Sequence, residues 1–197
     1  MNNRRVKRLI LFSRLLDRME EVPGDIVECG VADGKGLVML ALAIENTSQQ
    51  RTIVGFDSFS GLPPPTREDL DAPEPRAKEG RFAASTETCL RRLRNAGCSA
   101  EVQLVEGWFK DTLPKYNGQI ALLSLDADLY ESTRLALEHL WPRVSVGGFL
   151  VLDEYNTPAT WPGERKAVDE YFALKQDSIR MYQCPYSERA YVQKCGL

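Results

Sequence analysis

The sequence predicts an α/β domain: a doubly wound, mostly parallel sheet with helices on both faces and an antiparallel strand near its C-terminal end. Three observations carry that prediction. Strand-type and helix-type segments alternate five or more times along the chain, which places crossover helices on both faces of a parallel sheet. Two apolar strand-type runs, residues 120–125 and 147–152, end abruptly in carboxylates. The last two β-like runs, 179–184 and 190–194, flank Pro185-Tyr186-Ser187-Glu188-Arg189 and are close enough to form a hairpin.

The elements follow in order. Val6, Leu9, Ile10, Leu15, Leu16 and Met19 recur at helical spacing, so an amphipathic helix is expected over about 3–20. Pro23-Gly24 breaks it. A short strand then runs from Asp25 to Cys29, a glycine-rich turn from Gly30 to Gly36, and a helix from Leu37 to Ile44. Thr52 to Phe56 is the next strand and ends at Asp57. Residues 58–80 hold five of the eleven prolines, which predicts a long surface loop of the functional or mobile kind. Ser85 or Thr86 can cap a helix reaching about Ala96, and Val102 to Val105 is a third strand. After the strand at 120–125 comes a helix from Glu131 to Leu140, then Pro142 and the strand at 147–152. A helix over about 164–175 precedes the terminal hairpin. No repeat or linker divides the chain, so one domain is expected over 1–197.

Composition bounds the function. With 197 residues and 43% hydrophobic content, one domain with a full core is expected. A net charge of −3 and a pI near 5.4 argue against nucleic acid as the main partner. Arg4, Arg5, Lys7 and Arg8 are the one basic cluster and read as the solvated face of the opening helix. No apolar run approaches the ~18 residues that would span a bilayer, and no signal-peptide core precedes the first helix. The five cysteines (29, 89, 98, 184 and 195) lack C-x-x-C spacing and read as reduced packing residues of a cytoplasmic protein. The lone His139 reads as a helix-surface residue.

The two acidic strand ends are the most informative feature. Leu125-Asp126-Ala127-Asp128 and Leu152-Asp153-Glu154 deliver four carboxyl groups to one sheet edge. Such groups are costly to place there unless a cation, ligand or proton transfer uses them. Mg²⁺ takes about six oxygen ligands and keeps some waters, so Asp126, Asp153 and Glu154 suffice as metal ligands. Zinc would have called for His or Cys. A metal-bound hydroxyl loses its proton more easily, and Asp128 stands two residues on as candidate general base. Asp128 could instead cap the following helix.

Ligands of open α/β sheets bind beyond the strand carboxyl ends. Glu28-Cys29-Gly30-Val31-Ala32-Asp33-Gly34-Lys35-Gly36 closes the first strand without G-x-G-x-x-G spacing, so a pyrophosphate binder is disfavoured. An acidic residue with glycines suits a ligand with a cationic centre and an amino group. Asp57 sits where an acidic residue commonly takes ribose hydroxyls, or else opens the proline-rich loop as an Asx-turn. Trp108 of Glu106-Gly107-Trp108-Phe109 could wall an adenine pocket or belong to the core. Cofactor-binding candidates are therefore Glu28, Gly30, Val31, Gly34, Asp57, Ser58, Gly107, Trp108 and Asp126.

Several of these blocks together resemble the macrocin O-methyltransferase (TylF/MycF-type) family. They are Glu28-Cys29-Gly30-Val31, Gly55-Phe56-Asp57-Ser58-Phe59-Ser60-Gly61-Leu62-Pro63, Leu125-Asp126-Ala127-Asp128-Leu129-Tyr130-Glu131-Ser132-Thr133, Gly147-Gly148-Phe149 with Asp153-Glu154-Tyr155, and Glu164-Arg165-Lys166-Ala167-Val168-Asp169-Glu170-Tyr171-Phe172. The resemblance covers roughly residues 22–175. It implies a class I methyltransferase (Rossmann-like) fold with a seven-stranded sheet and a reversed terminal hairpin. It also implies S-adenosylmethionine- and Mg²⁺-dependent O-methylation, mostly of sugar hydroxyls on natural products. By the same resemblance Glu28, Gly30 and Asp57 hold the cofactor, position 154 joins Asp126 and Asp153 on the metal, and Asp128 is the base. Relatives suggest self-association, for which the opening helix could supply an interface. Two departures bear on the site: Glu154 stands where the family usually has Asp, and relatives carry extra N-terminal helical material that covers the active site. A catechol-type O-methyltransferase acting on an aromatic diol, and a non-catalytic nucleotide-binding scaffold, are the alternatives.

Overall fold

The computed structural model describes residues 3–175 and 179–196. Seven strands form one sheet: β1 (Asp25–Cys29), β2 (Ile53–Asp57), β3 (Val102–Glu106), β4 (Ile120–Leu125), β5 (Val144–Leu152), β6 (Ile179–Gln183) and β7 (Ala190–Lys194). Their spatial order is β3-β2-β1-β4-β5-β7-β6. The strands β1 to β5 pair in parallel, whereas β7 runs antiparallel to both β5 and β6. The predicted doubly wound sheet with a C-terminal hairpin is therefore the fold. Strand order reverses between β1 and β4, and a crevice opens there beyond the carboxyl ends.

Helices α1 (Asn3–Arg18), α2 (Lys35–Glu45) and α4 (Thr86–Asn95) cover one face of the sheet; α6 (Tyr130–Leu140) and α7 (Pro162–Ala173) cover the other. Every residue of β4 is buried, as a strand covered on both faces must be. Two short helices, α3 (Arg67–Leu70) and α5 (Phe109–Thr112), escape sequence periodicity because one turn has none. Strand β5 begins three residues before the apolar run predicted, at Val144. Helix α7 begins at Pro162, a residue preset for the first helical position. Among the described residues no helix is long and apolar enough to cross a membrane.

Helix α1 corrects one expectation. Its buried stripe is Arg8, Leu11, Phe12, Leu15 and Leu16, while Ile10 faces outward. That stripe packs with α2 residues into the chain's own core. The basic cluster is not a uniformly solvated face, because Arg8 shares the buried stripe.

Residues 58–80 are tied down rather than free. Thr66 and Asp69 form a reciprocal cap on α3, and buried Asp69 accepts the Tyr130 N–H at 2.7 Å. The Glu74 and Arg76 N–H groups donate to Ala159 and Thr160 carbonyls. The loop thereby becomes a wall beside the crevice.

Candidate active site

A cavity of about 880 Å³ fills the crevice, near the upper end of ordinary ligand sites and roomy enough for two small ligands. Its lining includes Gly30, Val31, Asp57, Ser58, Trp108, Asp126, Asp128, Asp153 and Glu154. Glu28, Gly34 and Gly107 do not line it. Gly34 packs against Cys89 at the start of α2, and the Gly107 N–H bonds the Asp57 carbonyl, which sets Trp108 at the rim. Trp108 is half-exposed, and Phe109 packs against the core while also lining the cavity.

The strand ends are held in register. The Asp126 N–H donates to the Cys29 carbonyl at 2.9 Å and the Asp153 N–H to the Leu125 carbonyl at 3.0 Å. Gly30 has φ +89°, and a Cβ there would lie 1.9 Å from the Asp126 carbonyl oxygen, so only glycine permits this approach of β1 to β4. Asp57 accepts the Ala32 N–H at 2.8 Å and the Phe59 N–H at 2.6 Å. It is thus both an Asx-turn and a strut between the first two strand-end turns. Ala32, Phe59, Phe82 and Asp128 all have positive φ, and three of the four line the cavity; such backbone tends to gather at functional sites.

Asp128 does not cap α6. Leu129 is the N-cap residue, and the first helical N–H is met by Asp69. Asp128, at φ 59°, instead turns its carboxyl into the acidic cluster. Burial raises its pKa well above the usual carboxylate range, and Asp126, Glu154 and Asp153 push the same way.

Three arginines that sequence reasoning passed over stand among the acids. Buried Arg8 donates from Nη2 to Glu28 Oε1 and from Nη1 to Asp126 Oδ2, each at 2.8 Å. Its Nη1 also lies 3.6 Å from Asp153 Oδ1. Arg189, buried in the β6–β7 turn, donates from Nε to Asp153 Oδ1 at 2.5 Å. Arg4 reaches Glu154 Oε1 at 3.0 Å, Asp153 Oδ2 at 3.8 Å and Glu188 Oε1 at 2.7 Å. Burial raises Asp126, whereas Arg8 and Arg189 overcome burial at Asp153 and hold it low. Burial also pushes Glu28 up to about 8, although Arg8 opposes it. Fully buried Glu164 on α7 accepts the Glu154 N–H at 3.0 Å and steadies the acidic turn. The signal for Arg8 was its place three and four residues before Leu11 and Phe12; Glu164, Asp69 and Arg189 gave none.

The donor set matches a hard cation. Asp126, Asp153 and Glu154 are all oxygen donors on rigid strand ends, and Asp126 Oδ1 takes no hydrogen bond among the described residues. Buried Arg8 Nε and Arg189 Nη1, both in cavity-lining side chains, have no hydrogen-bond partner. As guanidinium N–H donors these atoms call for a hydrogen-bond acceptor and do not themselves favour a cation. Among the described residues no three His, Cys, Asp or Glu side chains are gathered closely enough to ligate an ion. The arginines hold the acids at hydrogen-bond spacing instead.

A family model described as macrocin-O-methyltransferase (TylF) matches residues 3–182. The chain is 39% identical over 158 residues to demethyldecarbamoylnovobiocin O-methyltransferase of Streptomyces niveus, covering 77% of this chain and 59% of that protein. It is 39% identical over 157 residues to the 8-demethyl-8-(2,3-dimethoxy-alpha-L-rhamnosyl)-tetracenomycin-C 4'-O-methyltransferase of Streptomyces olivaceus, covering 76% and 58%. The chain therefore spans less than two thirds of the length of these relatives. Among solved structures, the O-methyltransferase NovP superposes with a TM-score of 0.82 at 32% identity, over 97% of this chain and 81% of that one.

Proposed function

The chain belongs to the macrocin O-methyltransferase family, and on that premise we propose that it transfers a methyl group from S-adenosylmethionine to a sugar hydroxyl of a natural product. The observation that carries the proposal is the cavity at the β1/β4 reversal, into which two strand ends deliver four carboxyl groups. The sugar is inferred from relatives, one of which is named for a rhamnosyl-bearing substrate.

The turn at 30–36, Asp57 with Ser58, and the rim residue Trp108 would take the cofactor's amino acid, ribose and adenine parts. Bound S-adenosylmethionine would supply an electrophilic methyl group to the acceptor oxygen and leave as the neutral thioether, and Asp128 would take the hydroxyl proton. Asp128, raised by burial, suits a base that must take a proton from an alcohol. Holding the reacting atoms in line would supply much of the acceleration. Mg²⁺, held by Asp126, Asp153 and Glu154, would act as a Lewis acid on the acceptor oxygen. Five cysteines without a disulfide among the described residues fit work in the reducing cytoplasm.

The test is a panel of glycosides and catechols incubated with S-adenosylmethionine, with and without Mg²⁺, alongside Asp126→Ala. Methylated glycoside from the wild type, and loss of turnover with retained cofactor binding in the variant, support the proposal. Methylated catechol alone would move the acceptor to an aromatic diol. Absence of cofactor binding would leave a scaffold. Undiminished turnover in Asp126→Ala would remove Asp126 from the chemistry.

A further inference from the structure

The three arginines do not engage the acids in the same way. Arg8 and Arg189 approach Asp126 Oδ2 and Asp153 Oδ1 from within the protein, and both are buried. Thr157 takes Glu154 Oε2 at 2.5 Å. Three oxygens are left for a ligand: Asp126 Oδ1, Asp153 Oδ2 and Glu154 Oε1. Arg4 Nη2 alone spans two of those three, at 3.8 Å from Asp153 Oδ2 and 3.0 Å from Glu154 Oε1. Unlike the other two, its side chain is 52% exposed.

We propose that the Arg4 guanidinium is a resident cation standing in the divalent-ion position, and that metal loading displaces it. The inference rests on the metal-site reading above. Its physical basis is spacing and charge. A guanidinium nitrogen keeps carboxylate oxygens near 3 Å, whereas Mg²⁺ draws its ligands to about 2.1 Å. Arg4 thus sits on two of the oxygens an ion would need, and among the described residues no three such side chains are gathered closely enough to ligate one. An empty cluster of neighbouring carboxylates repels itself, so a cation from the chain's own first helical turn stabilises the unloaded site. The exit is also built in: Arg4 Nε pairs with Glu188 Oε1 at 2.7 Å. The Nη2 end can swing off Asp153 and Glu154 while that anchor holds.

The experiment titrates Mg²⁺, and separately Mn²⁺, into the full chain without cofactor and reads dissociation constants by calorimetry and by the Mn²⁺ electron-spin-resonance signal. Arg4→Met keeps the fold because the side chain is half-exposed. It should bind either ion at least tenfold more tightly than wild type. Arg5→Met removes an equal charge from the cavity rim without an ion pair to the ligand set, and should change the constants less than about threefold, as a screened surface charge does. Equal constants for wild type and Arg4→Met would overturn the displacement and leave the metal reading standing. An equal gain in Arg5→Met would overturn it too, by assigning the effect to general charge. Absence of binding in all three would overturn the metal reading itself.

Discussion

Arg8→Met isolates the buried pair on which the geometry of the site depends. Glu28 is fully buried, its Oε1 bonds Arg8 at 2.8 Å, and its Oε2 has no partner. Methionine roughly replaces the aliphatic stem of arginine but leaves the carboxyl with no hydrogen bond on either oxygen. Above about pH 8, where Glu28 is ionised, breaking the buried pair from one side costs about 3–5 kcal/mol, a large share of the ~5–15 kcal/mol that holds a domain together. For a chain of this length the midpoint should drop on the order of 10 °C. Urea unfolding followed by tryptophan fluorescence would show a lower midpoint at unchanged slope. Protonation of Glu28 offers the variant a partial escape, so its deficit should widen as pH rises. Adding Glu28→Gln should return at least half of the loss, the coupling expected of residues in direct contact. A loss below about 1 kcal/mol, in the range of an exposed ion pair, or no recovery in the double variant, would refute the reasoning.

Other predictions follow from the same geometry. Gly30→Ala should abolish folding or cost more than about 3 kcal/mol, because its Cβ would sit 1.9 Å from the Asp126 carbonyl. Gly80→Ala, at φ +73° with nothing within 4 Å, should cost only the left-handed penalty of about 1–2 kcal/mol; similar costs in urea melts would contradict the close-approach argument. Asp69→Ala strips acceptors from the Thr66 and Tyr130 N–H groups. It should cost about 2–3 kcal/mol and speed proteolysis within residues 58–80, and an unchanged digestion pattern would show the loop is pinned elsewhere. Glu28 is raised to about 8 from an ordinary 4.5, so the native state holds its proton more tightly than the unfolded chain. Its stabilising contribution is complete below the ordinary value and fades as pH rises through about 8. The melting temperature should fall over that window, and Glu28→Gln should flatten the fall; an equal slope in the variant would exclude Glu28 as the cause.

The sheet and the acidic strand ends were legible because their signals are local. Ile120–Leu125 is a compact apolar run whose end is marked by Asp126, and the same holds for Leu152 and Asp153. The arginines were not legible, since a sequence shows Arg4 and Arg8 only as neighbours on one helix. Their partners lie far along the chain, at Glu154 and Asp126, and only the crossing of α1 over the β1/β4 reversal brings them together. Arg8 was still the readable case, because a charge on an apolar stripe asks for a buried partner. Asp69 looked like one more loop charge. Its role depends on the α6 N-terminus, whose cap residue, Leu129, has no side-chain acceptor to offer.

The central claim is that the acids at the ends of β4 and β5 perform methyl transfer, with Asp128 taking the proton. It is tested most directly by single-turnover transfer from isotopically labelled S-adenosylmethionine to a glycoside acceptor, comparing wild type with Asp128→Asn at equal cofactor occupancy. The account predicts labelled, O-methylated sugar from the wild type and a rate lower by about 10²–10⁴-fold in the variant, with cofactor affinity little changed. Equal rates in the two proteins, or no transfer by the wild type despite bound cofactor, would contradict it.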